Sequence, residues 1–272
     1  MVQKRRLRKY REYLKSQSLS PQTVEMYYRE AMCLEQYFRT GKPKKKQVQQ
    51  FVTDIRENHK ISTVNGYTVA INRYLKWMNR GDYCVKTKRL QNNWNLENVI
   101  SFEEYKRLID YTKEKGNEKY YLLIRVLGKT GIRISELRYI TVESLENDSM
   151  IIYGKGKYRS VYLTSDITEE LKEYCAKMKI ESGSIFLGNK KTPISRSAVW
   201  QMLQKMAGDT GIPRKKVHPH SFRHLFAKTY MEKYGNISEL ADILGHSGLD
   251  ITRIYLTTTR EEKLGRIKEL PL

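Results

Sequence analysis

The feature of this sequence that most constrains its fold is the helical spacing of apolar residues in its first ninety positions. From Val24 to Phe38 the apolar side chains recur every three or four residues, so they would form one stripe along an α-helix. Ser20 followed by Pro21 is typical of a helix start, because the hydroxyl can cap the first turn and proline lacks only an N–H that would be unused there. Related patterns, weakest in the first, occupy residues 4–16, 48–55 and 62–78. Four amphipathic helices with short connections predict a small helical bundle over residues 1–82.

A second domain is predicted after residues 83–100, which lose this periodicity and are polar, basic and rich in asparagine, as a linker would be. It starts at Ser101, which has capping-box spacing to Glu104. Two β-rich runs, 150–153 and 160–163, flank a Gly-Lys-Gly-Lys turn and predict a β-hairpin. Helices are predicted over residues 120–128, 168–179, 196–209, 220–234, 238–244, 250–256 and 261–269. The predicted fold class is therefore mainly α with a small antiparallel β-sheet, and the second domain spans residues 101–272.

The chain carries a large excess of positive charge. Its 272 residues include 51 Lys and Arg against 30 Asp and Glu, a formal net charge of +21. A polyanionic partner is expected, and nucleic acid is favoured because cationic side chains displace counterions from phosphates. An anionic membrane surface is the alternative, but it would require a basic amphipathic helix or a lipid anchor, and no lipidation motif is present.

Targeting and disulfide signals are not evident in the sequence. No apolar run reaches the ~18 residues needed to cross a bilayer. The first residues are charged and no apolar stretch follows them, as a secretory signal would require. Cys33, Cys84 and Cys175 are far apart, which argues against a disulfide framework or a zinc ribbon and favours a reducing compartment. We therefore expect a cytoplasmic protein.

Candidate chemistry is concentrated in four segments: residues 130–137, 154–159, 220–224 and 244–255. His220 and Arg223 are three positions apart and would share a helix face. A guanidinium can hold two phosphate oxygens at once, and an imidazole can donate to a third or move a proton. Arg133 follows Gly131 in a turn expected to face inward. It could be a structural arginine paired with Glu136, or a phosphate ligand that Glu136 orients, and both roles are compatible.

The predicted hairpin tip carries Lys155 and Lys157, with Arg159 beyond them. An ammonium beside other cations loses its proton more easily, so Lys155 could be a proton donor. The alternative is a solvated basic turn that only touches phosphate.

A metal site is not expected at the clustered histidines His218, His220 and His224. No cysteine or carboxylate lies at ligand spacing, and the cationic Arg223 lies among them. His218 and His224 could instead cap a helix or pack. Tyr255, one of twenty tyrosines, gains meaning only from its place nine residues after His246.

Together and in this order, the four segments resemble the motifs of tyrosine recombinases of the phage-integrase and Xer group. TGIRISEL resembles the first-arginine box, GKGKYRSVYL the β-hairpin lysine, HPHSFRHLFA the His-x-x-Arg box and LGHSGLDITRIY the His-to-Tyr box. The likeness covers essentially the whole chain. One departure is Phe222, where the family more often has leucine, and this apolar side chain should only pack.

The resemblance implies a set of catalytic residues. Arg133, Lys155, His220, Arg223 and His246 would surround the scissile phosphate, and Tyr255 would be the nucleophile. The implied activity is site-specific DNA recombination through a 3′-phosphotyrosyl intermediate, without metal or ATP. Whether it serves integration, excision or Xer-like dimer resolution stays open. The alternatives are a type IB topoisomerase-like enzyme, a non-catalytic DNA-binding regulator and an RNA-binding protein, although no RNA-recognition pattern is evident.

The resemblance also implies an architecture: a SAM-like helical bundle and a catalytic domain that clamp double-stranded DNA. Four protomers would assemble on two DNA sites at the nucleoid. The tail from Thr257 to Leu272 would dock on a neighbouring protomer, or alternatively fold back on its own domain. The helix after Pro193 is the candidate major-groove reader, with Trp200 and Leu203 expected in the core. The candidate DNA contacts are Lys157, Arg159, Ser195, Arg196, Gln201, Gln22, Thr23, Thr63, Asn65 and Lys76.

Overall fold

The structure is a computed structural model that divides the chain into two compact units, Met1–Asn93 and Trp94–Leu272. It describes residues 2–38, 44–88, 98–147, 149–154, 157–246, 248, 252 and 268–269. The division falls inside the stretch 83–100 that the sequence analysis interprets as a linker. The linker itself stays a prediction, because residues 89–97 lie outside the described ranges.

The first unit is a helical bundle. Its helices are α1 (Val2–Ser16), α2 (Pro21–Tyr37), α3 (Lys45–Asn58) and α4 (Ile61–Trp77). The predicted start of α2 is confirmed, since Ser20 Oγ accepts a hydrogen bond from the Thr23 amide and Pro21 occupies the first turn. The fourth helix starts at Ile61 after Lys60, slightly earlier than the predicted Ser62.

The core of this bundle forms where α2 packs against α1 and α4. Tyr10, Leu34 and Tyr74 are fully buried in it. A buried carboxylate, Glu35, accepts hydrogen bonds from the Tyr74 hydroxyl and from Arg6, 2.8 Å away. The charge of Glu35 is therefore paired rather than left alone in an apolar interior.

The second unit combines six helices with a two-stranded sheet among the described residues. Its elements are α5 (Phe102–Glu114), α6 (Glu118–Thr130), β1 (Ser149–Gly154), β2 (Lys157–Tyr162), α7 (Ser165–Met178), α8 (Arg196–Thr210), α9 (Pro219–Tyr234) and α10 (Ile237–Leu244). The predicted capping box is present, since Ser101 Oγ accepts from the Glu104 amide and the Glu104 carboxylate accepts from the Ser101 amide. The buried helix α6 packs against α5, α7 and α9 and so forms the centre of the unit.

The two strands form an antiparallel hairpin in which Met150 pairs with Val161 and Ile152 with Arg159. Met150, Ile152 and Val161 are buried, so one face of the sheet contributes to the core. Alternate residues point the other way, and the side chains of Ile151, Tyr153, Tyr158 and Tyr162 are exposed.

The predicted fold class, mainly α with a small antiparallel sheet, is confirmed. The predicted helices at 250–256 and 261–269 lie almost wholly outside the described residues. None of the described helices has the length and apolar character needed to cross a membrane.

Candidate active site

Arg133 is positioned by the turn that ends α6. Gly131 has a φ of +58°, and a Cβ added there would lie 2.7 Å from Phe226 Cδ1, so the close turn requires glycine. Glu136 accepts hydrogen bonds from the Arg133 amide at 2.9 Å and from Arg133 Nη1 at 3.0 Å. Arg133 Nη2 donates to the Gly245 carbonyl at 3.1 Å. The contact expected between Arg133 and Glu136 is therefore present, and it fixes both the backbone and the guanidinium.

Arg223 is placed by the start of α9. His218 caps this helix, because its Nδ1 accepts a hydrogen bond from the Ser221 amide. Arg223 is only 2% exposed. Its Nη1 donates to the Gly131 carbonyl at 2.8 Å and its Nη2 to the Leu244 carbonyl at 2.5 Å. Arg223 thereby joins the ends of α6 and α10, which are distant in sequence.

The end of α10 is where the two arginines meet. Arg133 and Arg223 donate to the carbonyls of consecutive residues, Gly245 and Leu244. Gly245 ends the helix with a φ of +62°, and His246 follows it directly. The structure thus brings three of the predicted residues, Arg133, Arg223 and His246, to one turn.

Two histidines of this region, His246 and His224, are held in the neutral form. Burial, together with the charges of Arg223 and Arg133, lowers the pKa of His246 to about 4. Burial and the neighbouring His220 lower the pKa of His224 to about 4. The rings of His220 and His224 meet edge to face with their centroids 4.8 Å apart. At pH 7 the ring of His246 is therefore uncharged and has one donor and one acceptor nitrogen.

Arg159, a predicted DNA contact, is mostly buried. Its side chain is only 7% exposed, and it donates from Nη2 to Glu136 at 2.5 Å and from Nη1 to the Ile243 carbonyl at 2.6 Å. The cause is the strand register, because Arg159 lies on the same face of β2 as the buried Val161. Arg159 is therefore a partner of Glu136 in this structure, and its contact with DNA stays a prediction.

Glu136 carries one negative charge between Arg133 and Arg159. Burial alone would raise the pKa of this carboxyl, but the hydrogen bonds and charges of the two arginines outweigh it and hold the pKa below its ordinary value. Glu136 is thus ionised and orients Arg133, whose side chain remains 27% exposed.

These groups border an open cleft of about 990 Å³. Arg133, Glu136, Arg159, Gly245 and His246 line one part of it. The rest is lined by the hairpin face and the ends of α9 and α10, including the tyrosines Tyr158, Tyr162, Tyr230 and Tyr234.

Two proposed catalytic residues and one proposed contact cannot be located here. Lys155 and Tyr255 lie outside the described residues, as does the side chain of Lys157. Thr252, three positions before Tyr255 in the sequence, is described and fully buried, and its Oγ1 lies 2.7 Å from His246 Nδ1. Thr252 was not predicted as a site residue. The one sequence feature that could have indicated it is its position between His246 and Tyr255.

The remaining DNA-contact candidates fall into two groups. The side chains of Arg196 and Gln201 on α8, of its N-cap Ser195, and of Gln22, Thr63 and Lys76 in the first unit are exposed. Thr23 is part of the α2 cap, and both amide atoms of Asn65 bond to the Lys88 backbone. The expectation that Trp200 is in the core is wrong, since it is 53% exposed, whereas Leu203 is fully buried.

The described residues contain no group of three or more His, Cys, Asp or Glu side chains placed to hold a metal ion. His218 has a structural partner in the cap of α9. The pKa of His218 is lowered by burial.

Known proteins resemble this chain in both sequence and fold. Residues 98–262 match the phage integrase family. A tyrosine recombinase of Pseudothermotoga lettingae is 34% identical over 174 residues, which is 61% of this chain and 58% of that protein. Tyrosine recombinase XerA of Pyrococcus furiosus is 27% identical over 93% of this chain and 89% of its own length.

A solved structure shares the fold. The Tn1549 transposon integrase, in complex with transposon right-end DNA, is similar with a TM-score of 0.75 at 16% identity, covering 98% of this chain and 99% of that one. The family match spans more than half of the chain, including the segments that carry Arg133, Arg223 and His246. The chain therefore belongs to the phage integrase family and is a tyrosine recombinase, an enzyme that breaks and rejoins DNA strands.

Proposed function

We propose that this recombinase acts at specific DNA sites by linking a 3′ phosphate covalently to Tyr255. The observation that carries the proposal is the convergence of Arg133, Arg223 and His246 at the turn after α10. These three groups can donate to phosphate oxygens and come from distant parts of the sequence. Two of them, Arg133 and His246, line the open cleft.

The two arginines would stabilise the negative charge that develops on the non-bridging phosphate oxygens. A phosphodiester repels nucleophiles because its non-bridging oxygens are negative, and guanidinium groups offset this charge in the transition state. Each guanidinium has five N–H donors. The hydrogen bonds of Arg133 to Glu136 and Gly245 use part of this set and hold the group in place, so little reorganisation is needed when phosphate arrives.

Proton transfer would be divided between two groups. A phenol with a pKa of ~10 is almost entirely protonated at neutral pH, so Tyr255 requires a base. We assign His220 to accept the proton as the Tyr255 oxygen bonds to phosphorus. The bond from phosphorus to the 5′ oxygen breaks, and Lys155 donates a proton to that oxygen.

The reaction needs no cofactor in this scheme. The phosphotyrosyl ester keeps the energy of the broken phosphodiester, and a 5′ hydroxyl attacks it in reverse to reseal the strand. The bonds and protons of the proposed steps balance without ATP or a metal ion.

The assembly we propose is a homotetramer on two double-stranded DNA sites. Exchange between two duplexes breaks four strands, and with one tyrosine for each strand this needs four protomers. The tail after Thr257 would dock on a neighbouring protomer, and the enzyme would work at the nucleoid of the cytoplasm. The excess positive charge, +21, supports binding to the DNA backbone.

The test is covalent trapping on a nicked suicide duplex. The substrate is a duplex library with a randomised centre and a nick just downstream of the cleavage position. After cleavage, the short fragment that carries the free 5′ hydroxyl diffuses away, which prevents resealing. We expect a DNA–protein adduct that survives denaturing electrophoresis. Tyr255→Phe should bind DNA but give no adduct, and Tyr37→Phe, at an exposed tyrosine of α2, is the matched control.

Persistence of the adduct in Tyr255→Phe would contradict the assignment. An adduct accompanied by supercoil relaxation without strand exchange would indicate the type IB topoisomerase-like alternative. Site binding without any adduct would indicate a regulator.

A further inference from the structure

Thr252 makes a buried hydrogen bond to the histidine of the site. The residue is fully buried, and its Oγ1 lies 2.7 Å from His246 Nδ1. Among the described residues, this ring nitrogen is the hydrogen-bond partner found for the Thr252 side chain. Leaving a buried hydroxyl without a partner is unfavourable, so the pairing contributes to a defined local structure.

The direction of this hydrogen bond determines what His246 can do. A neutral imidazole carries its single proton on either Nδ1 or Nε2. If Nδ1 donated to Thr252, Nε2 would present a lone pair, which repels a negative phosphate oxygen. If the Thr252 hydroxyl donates to Nδ1, the proton is on Nε2, and the ring can donate to the phosphate.

The charges around His246 mean that its tautomer must be set before DNA binds. Arg223, Arg133, His220 and Arg159 all act on His246, and with its burial they disfavour a second proton on the ring. His246 therefore cannot obtain a donor at Nε2 simply by becoming charged at neutral pH. The donor must come from the correct tautomer.

We propose that Thr252 is a positioning residue that donates its hydroxyl proton to Nδ1 of His246 and so holds the ring in the Nε2–H tautomer, as a donor to the scissile phosphate. This inference rests on the proposed function. It deepens that function by naming the group that sets the protonation and orientation of His246. Thr252 precedes the proposed nucleophile, Tyr255, by three positions in the sequence.

The test compares two substitutions with the wild-type chain. Thr252→Val keeps the branched shape but removes the hydroxyl, and Thr252→Ser keeps the hydroxyl. Imidazole ¹⁵N NMR spectra of the full chain, recorded without DNA near pH 7.5, report the tautomer of each histidine, and His246→Asn assigns the signal. Cleavage of the suicide duplex and DNA affinity are measured on the same proteins.

We expect the wild-type His246 to be wholly in the Nε2–H form with a hydrogen-bonded Nδ1. In Thr252→Val that hydrogen-bond signature should vanish and a population of the other tautomer should appear. Covalent cleavage should fall about 10- to 100-fold, a part of the ~10²–10³-fold typical of one lost oxyanion donor. DNA affinity should stay within about twofold, and Thr252→Ser should restore most of the rate.

Two results would overturn the proposal. One is a wild-type spectrum that shows the proton on Nδ1 of His246. This result does not depend on whether any variant folds. The other is a Thr252→Val protein whose spectrum and cleavage match the wild type. Failure of the proposed function is distinguishable, because the wild-type chain would then form no adduct at Tyr255 whatever the tautomer.

Discussion

Substitution of Glu136 by glutamine tests how the site is held together. Glu136 is buried and its two carboxylate oxygens bond to Arg133 and Arg159. Gln has nearly the same size but no charge, so the two guanidinium groups would lose their shared counterion. Removing one partner of a buried ion pair costs about 3–5 kcal/mol. Because the amide oxygen still accepts one hydrogen bond, we expect a loss near the lower end, about 3 kcal/mol.

The expected loss is large enough to measure by urea unfolding and by heat. For a domain of 150–250 residues, a change of 1 kcal/mol shifts the melting temperature by about 2–4 °C, so Glu136→Gln should melt about 6–12 °C lower. Glu173→Gln, at an exposed position on α7, is the matched control and should be near neutral. DNA cleavage should also fall, because the guanidinium of Arg133 would no longer be oriented.

The pH dependence separates this reasoning from a simple packing defect. The folded state holds the pKa of Glu136 below its ordinary value. Its stabilising contribution is therefore complete above the unfolded pKa of about 4.3 and is lost as the pH falls through the lower folded pKa. The stability difference between wild type and Glu136→Gln should be full at pH 7 and shrink below about pH 4. A difference that is absent at pH 7, or constant with pH, would refute the reasoning.

Two further substitutions test the geometry of the arginines. Arg133→Lys keeps the charge, but an ammonium group cannot bond to Glu136 and the Gly245 carbonyl while it also faces a phosphate. Cleavage of the suicide substrate should therefore fall by about 10²-fold or more, with DNA affinity largely retained. Cleavage near the wild-type rate would contradict this expectation. Gly245→Ala would place a Cβ 2.3 Å from Arg159 Cδ at a residue with a φ of +62°. It should lower both the melting temperature and the cleavage rate, whereas an unchanged melting temperature would show that the contact is not tight.

Local chemistry explains which parts of the fold were predictable. The capping hydrogen bonds at the starts of α2 and α5 are made between residues only three positions apart in the chain. The patterns Ser20-Pro21 and Ser101…Glu104 therefore identify helix starts without tertiary information. The contact of Arg133 with Glu136 is equally local, at a separation of three residues.

Tertiary packing explains where prediction failed. The pairing of Arg159 with Glu136 was not predicted, because it depends on the strand register, which places Arg159 largely inside. The alternation with Val161 was the overlooked signal. Trp200 was expected in the core because it is apolar, yet α8 buries its neighbours Val199 and Leu203 and leaves Trp200 at the surface. The direction in which a helix presents a large side chain depends on partners that sequence periodicity does not reveal.

The measurement that tests the central claim most directly is identification of the residue linked to DNA. Wild-type protein trapped on the suicide duplex is digested with protease and nuclease, and the nucleotide-bearing peptide is sequenced by mass spectrometry. The account predicts a single peptide modified at Tyr255, with a free 5′ hydroxyl on the released strand. Attachment at a serine or at another tyrosine, or a 5′ phosphate on the released strand, would contradict it.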